Sequence, residues 1–278
     1  MDWTGSVLAV IGLILLNFVW NQGPLVGWGK AYIIVLLIVS IVILAIFVLY
    51  ELRRAVIPLL PREIMKSRPM LMVLLALFLG WGSFGIFSFY YFAFLLNIGK
   101  YNVLWAGGTY FMFAIWGMIA ALVVGFTIRR STAPIILFLS MLAFTAGNVM
   151  FAVTPVHETY FRMNLGTMIV LSFGMDMSFP ASSIMLSDFL PMQYQGMAGS
   201  LAYTMVNYSM SLCLGMATTV EKQVNDSGKN LLKGYRGAEY LSVGLAGLGI
   251  VVALIFMIEN LWIERNENLE RSKEENLS

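Results

Sequence analysis

Apolar residues run along the chain in eight long stretches broken by charge or turn residues, at about 5–22, 31–50, 70–96, 104–127, 133–153, 163–187, 197–219 and 239–262. A helix needs about 20 mostly apolar residues to cross the hydrocarbon core of a bilayer, so each stretch predicts one span. The runs are continuous and lack the alternation of a membrane barrel, which leaves the helix as the form that satisfies its own backbone in lipid. The pattern predicts an all-α integral membrane protein with about eight transmembrane helices. The first stretch lacks the basic n-region and small-x-small cleavage site of a signal peptide, and Asp2 stands where a basic residue would be expected, so it reads as a real span.

Composition narrows the function. Of 278 residues 59% are apolar and 12% charged, against roughly a quarter charged in a soluble domain, which excludes a soluble globular enzyme. One Cys and one His exclude a disulfide framework and the usual multi-ligand zinc site. The net charge of +2 is spread over loops, leaving no basic face for nucleic acid. No cofactor is implied, and the first partner is the lipid bilayer.

Basic residues orient the bundle. With the N-terminus in the cytoplasm, that side receives Arg53, Arg54, Arg62, Lys66, Arg68, Arg129, Arg130, Arg265, Arg271 and Lys273. The other side receives Lys30, Lys100, Arg162, Lys222, Lys229, Lys233 and Arg236, four of them within the single loop 220–238. The positive-inside rule then places both termini in the cytoplasm. The triplet Asn225-Asp226-Ser227 in that loop matches a glycosylation acceptor, which fits an outer face.

Two stretches depart from the bundle pattern. Residues 51–69, ELRRAVIPLLPREIMKSRP, mix arginines with Ile57, Leu59, Leu60, Ile64 and Met65 and carry Pro58, Pro61 and Pro69. That suits a broken cytoplasmic segment at the membrane interface, where arginines meet anionic headgroups. It divides the chain into 1–50, two plain apolar spans, and 70–262, six spans rich in Gly, Asn, Ser and Tyr. The tail 263–278 holds five Glu in sixteen residues and is expected to be solvated and partly disordered.

Polar groups placed in hydrocarbon against their cost mark candidate chemistry. Asp176 reads as the one acid deep inside a span. Burial penalises the charged form of a carboxyl group, so an acid at that depth is a candidate proton carrier, with a structural hydrogen-bonding role as the plainer reading. Ser172, Asp176, Pro180 and Ser183 fall at i, i+4, i+8 and i+11 and share a helix face. Span seven carries a second polar stripe, Ser200, Thr204, Asn207 and Ser211, after Gly196 and Gly199, whose spacing reads as close helix packing. Tyr90, Tyr91, Tyr110, Trp116 and Tyr203 are aromatic candidates for a substrate cavity, since ring faces bind flat or cationic molecules. Trp3, Trp20, Trp28, Tyr32 and Trp262 read instead as interfacial belts.

Other residues carry plainer readings. His157 falls in a short outer loop, Cys213 reads as a small core residue, and Glu259 lies close enough to a span end to reach the interface. An intramembrane protease would need a paired acid or HExxH, and the sequence holds neither, so no enzyme activity is expected.

The opening DWTGSVLAVIGLILLNFVWNQGPLVGW, the connector PLLPREIMKSRPM and FPASSIMLSDFLPMQYQGMAGSLAYTMVNYSMSLCLGMATTVE resemble the second half of fungal fourteen-span drug:proton antiporters of the major facilitator superfamily. More narrowly, they resemble the aminotriazole and boron resistance transporters of yeasts. The resemblance covers essentially all 278 residues, and QGMAGSLAYT is its most family-like piece. It implies that spans one and two are the extra central pair of the fourteen-span fold and spans three to eight the C-terminal six-helix lobe. In that fold spans three, four, six and seven would border the central cavity, and Asp176 would be a candidate coupling acid.

The family's basic loop motif and its Gly- and Pro-rich antiporter motif belong to the other lobe and do not appear here; GFTIRR at 125–130 only echoes the first. Alternating access needs two lobes. Three readings follow: one lobe of a proton-coupled exporter of small toxic compounds, a half-size transporter completed by self-association or a separate N-terminal lobe, or a non-transporting membrane partner or truncated product. Protons and a small molecule are the implied ligands. The plasma membrane is the expected location, with the vacuolar membrane as the alternative.

Overall fold

A computed structural model describes residues 2–54, 67–128, 133–156 and 164–275, with side chains as far as residue 266 apart from that of Gln193. The described residues form eight long helices: α1 (Trp3–Val26), α2 (Ala31–Arg53), α3 (Arg68–Ala93), α4 (Val103–Thr127), α5 (Ala133–Ala152), α6 (Asn164–Asp188), α7 (Gln195–Val224) and α8 (Leu231–Glu275). Each expected span coincides with one helix. Seven of the eight are long and apolar enough to cross a membrane, which makes the chain an integral membrane protein; α7 falls short of that hydrophobicity. Its exception has a physical cause: seven of the twelve residues from Ser200 to Ser211 carry a hydroxyl or amide.

Local chemistry sets the helix ends. Asp2 caps α1, its Oδ1 accepting from the Gly5 amide at 3.0 Å, and Asn102 caps α4 by accepting from the Trp105 amide at 3.0 Å. The α1–α2 turn needs Gly27, whose φ of 100° is costly for a side-chain-bearing residue. Residues 94–98 widen the end of α3 into a π-helical turn. The expected long loop 220–238 is instead a short turn, because α7 runs to Val224 and α8 begins at Leu231. Asn225 is 8% exposed and its Oδ1 accepts from the Gly228 amide at 2.9 Å. The side-chain oxygen of the expected glycan acceptor is engaged in building the turn.

Helix α3 is the most buried of the set and packs on α5, α6, α7 and α8. Glycines permit the close approaches: a Cβ on Gly85 would stand 2.7 Å from the Met210 backbone of α7, and one on Gly215 of α7 would stand 2.7 Å from the Trp20 carbonyl of α1. Cys213 is buried against Gly82, as expected of a small core residue. Helices α1 and α2 pair with each other and reach the rest of the bundle chiefly where α1 packs on α7. Trp3 and Tyr32 are exposed at helix starts and Trp262 is exposed along α8, while Trp20 and Trp28 pack edge-on at 5.0 Å.

One expectation changes at the charged C-terminal end. The tail does not leave the helix: α8 continues to Glu275, through a run with no Gly or Pro to stop it. Glu259 accepts from Arg68 at 2.7 Å, tying α8 to the start of α3. Most of the interfacial connector 51–69, together with Arg129, Arg130, His157 and Arg162, lies outside the described residues.

Candidate functional site

Helix α4 touches the bundle mainly through α6, and beside that contact runs an open groove of about 690 Å³. Its α4 wall comes from Gly107, Tyr110, Phe111, Phe113, Ala114, Gly117, Met118 and Ala121, its α6 wall from Met175 and Asp176, and its back from Phe84 of α3. Positions 110, 113, 114, 117, 118 and 121 follow the i, i+3, i+4, i+7 spacing of one helix face. That spacing was legible in the sequence, although only Tyr110 drew attention there.

Asp176 is half-buried at the middle of α6. Its Oδ2 is buried and has no hydrogen-bond partner. Gly117 makes the room: a Cβ at that position would stand 2.8 Å from Oδ2. One oxygen of the carboxyl group is thus pressed against bare α4 backbone, on a helix whose neighbours supply it no donor.

The remaining candidates divide by location. Tyr110 stacks on Phe113 with centroids 5.2 Å apart and planes 11° apart, and shares a 3.3 Å hydrogen bond with Ser88. Ser172 is buried; its hydroxyl donates to the Met168 carbonyl at 2.8 Å and reaches the Phe113 carbonyl of α4 at 3.4 Å. Trp116 is half-buried but does not line the groove. The Ser183 hydroxyl is buried without a partner, two turns beyond Asp176. Gly174 serves packing, since a Cβ there would meet Phe144 of α5 at 2.9 Å.

Tyr90 and Tyr91 point into the core and not into the groove, both fully buried. Their rings supply apolar area while each hydroxyl finds an internal acceptor: Tyr90 donates to Glu221 Oε2 and Tyr91 to Thr109 Oγ1, each at 2.8 Å.

The α7 stripe also splits. Ser200, Tyr203, Thr204 and Asn207 are exposed, Tyr203 at 64%. Thr204 and Asn207 satisfy themselves on their own helix, bonding the Ser200 and Tyr203 carbonyls at 2.8 Å. Ser211 leaves this face and donates to Asn17 Oδ1 of α1 at 3.0 Å. Gly196 and Gly199 have no described atom near a would-be Cβ, so they make no packing contact within the chain. The packing glycines are those that face inward, such as Gly82 and Gly85 of α3, Gly147 of α5 and Gly215 of α7.

Asp176 is not the only acid wholly or partly buried within the helices. Glu51 and Glu239 are buried, at 0% and 3% exposure, and Glu221 is half-buried under Tyr90. Glu239 escaped notice because its span was expected to begin at residue 239, whereas α8 starts two turns earlier. No group of three or more metal-ligating side chains occurs among the described residues.

No family model matches the chain. It is 66% identical over 260 residues to the aminotriazole resistance protein of Saccharomyces cerevisiae, covering 94% of this chain and 48% of that protein. It is 45% identical to a low affinity ammonium transporter of the same yeast, covering 92% of this chain and 49% of that one. Efflux pump terJ of Aspergillus terreus is 37% identical over 93% of this chain and 49% of its own length. The chain spans about half the length of the curated relatives it matches.

Proposed function

We propose that this chain, a member of the fungal transporters of the major facilitator superfamily, corresponds to the C-terminal half of such a protein and forms one wall of a pathway for proton-coupled export of small toxic compounds. The observation that carries this reading is Asp176, a mid-span carboxyl with a buried, unpartnered oxygen beside an open groove. An ionisable group at membrane depth is retained for a pathway or a partner. The exposed face of α7, with Ser200, Tyr203, Thr204 and Asn207 beside the bare surfaces of Gly196 and Gly199, supplies the adjoining polar and close-packing surface.

One lobe makes one wall, so the pathway is completed by an N-terminal lobe or by a second copy of the chain. Tyr110 offers a ring face in the groove, and Ser172 reaches the α4 backbone behind it. In the cycle, Asp176 takes a proton from outside, the altered charge lowers affinity for the cargo, and proton release inside restores it. Each protonation state then favours a different facing. The plasma membrane, with both termini inside, is the location that fits this role.

Co-expression with the matching N-terminal lobe tests the proposal, using aminotriazole as the first compound because a relative is named for resistance to it. Restored, pH-driven efflux is the expected result. Stable insertion with no efflux would overturn the reading in favour of a non-transporting partner, and cross-linking of the chain to itself would separate self-completion from pairing with another lobe.

A further inference from the structure

At one end of the bundle α3 finishes, α7 finishes and α8 begins, and titratable side chains from all three meet there. The Tyr90 hydroxyl of α3 donates to Glu221 of α7. Tyr235 of α8 packs edge-on against Tyr90, centroids 5.4 Å apart, and accepts from Asn97 at 2.8 Å. One turn further along α8, Glu239 is 3% exposed and neither of its oxygens has a hydrogen-bond partner. Tyr90, Tyr235, Arg236 and Glu239 border a cavity of about 10 Å³, closed by Phe94, Phe151 and Thr154. That is room for one water-sized group.

An unpartnered ionised carboxylate in such a place is far costlier than a neutral acid. The groups facing Glu239 do not offset that cost. Tyr90 comes from α3, Glu221 from α7, and Tyr235 and Arg236 from α8, while the end of α5 contributes uncharged Phe151 and Ala152. Arg236 makes no ion pair with Glu239 in the described structure. Glu221 already receives the Tyr90 hydroxyl and offers Glu239 no donor.

We propose that Glu239 is a second proton-binding site of this chain, separate from Asp176, holding its proton as a neutral acid in the closed end of the bundle. The proton adds to a carboxylate oxygen and leaves by the same route, with no other bond made or broken. This inference goes beyond the transport reading and does not depend on it.

Infrared difference spectroscopy of the full chain in lipid vesicles, taken across pH, tests it. The expected result is a protonated-carboxyl carbonyl band present at neutral pH, lost in Glu239→Gln and retained in Asp176→Asn and Glu221→Gln. An unchanged band in Glu239→Gln overturns the proposal. Thermal unfolding in detergent gives an independent reading, because Gln closely replaces a neutral Glu and the variant should melt with the wild type. A marked loss of stability or failure to insert, rescued by adding Arg236→Gln, would mean an ionised Glu239 paired with Arg236 and would equally overturn it.

Discussion

Asp176 and Glu239 each hold a buried carboxyl oxygen without a hydrogen-bond partner, yet one borders a groove of about 690 Å³ and the other a cavity of about 10 Å³. The difference lies in the neighbours. Around Glu239 the ends of α3 and α5 meet the start of α8, and aromatic rings from all three fill the space. Beside Asp176, α4 has essentially one helix to lean on and offers Gly117 where a side chain would stand. On the readings proposed above, an acid enclosed like Glu239 keeps its proton and one exposed like Asp176 exchanges it with whatever fills the groove.

The sharpest way to break this contrast is Asp176→Asn in a transporter completed by its other lobe. Efflux driven by a pH gradient should be abolished while membrane insertion stays normal; efflux at the wild-type rate would sink the coupling role. Closing the open side should come next. Gly117→Ala puts a methyl group 2.8 Å from Asp176 Oδ2, and is expected to lower pH-driven efflux several-fold with little change in the melting temperature of the chain.

Two glycine changes compare the inner and outer packing surfaces. Gly85→Val drives a side chain into the Met210 backbone and should destabilise the chain by about 1–3 kcal/mol, the usual cost of overpacking, measured by thermal unfolding in detergent. Gly199→Ala meets nothing within the chain; its stability should match wild type, while association with the completing lobe weakens in cross-linking. Smallest of all, Ser211→Ala removes the bond to Asn17 and should cost about 0.6 kcal/mol, the average for a hydrogen bond between membrane helices. Its readout is faster protease or labelling access at the α1–α7 seam.

Much of the fold was legible because a bilayer imposes one rule on every span. Apolar runs such as 31–50 and 133–153 announce helices almost to the residue, since nothing else satisfies backbone in lipid. Boundaries failed where charged residues continue a helix. Lys233 and Arg236 read as loop and hid the first two turns of α8, which left the buried Glu239 looking like the edge of a span. The stripe Ser200, Thr204, Asn207, Ser211 looked uniform in sequence, but a small rotation separates an open face from the α1 seam. Tyr90 and Tyr91 adjoin in the chain and resemble cavity aromatics, yet each ring is buried and each hydroxyl has its own internal acceptor.

The sequence by itself determined that the chain is helical and membrane-embedded, where its spans lie, and that a carboxyl group sits at the middle of one of them, because hydropathy and backbone satisfaction act locally along the chain. Tertiary structure alone decided which glycines carry packing, which tyrosines are sealed in the core, and which acid meets an open groove and which a closed cavity. Those outcomes depend on how far apart neighbouring helices stand and which faces they turn to each other, and a helical period repeats too often to specify that from one strand of text.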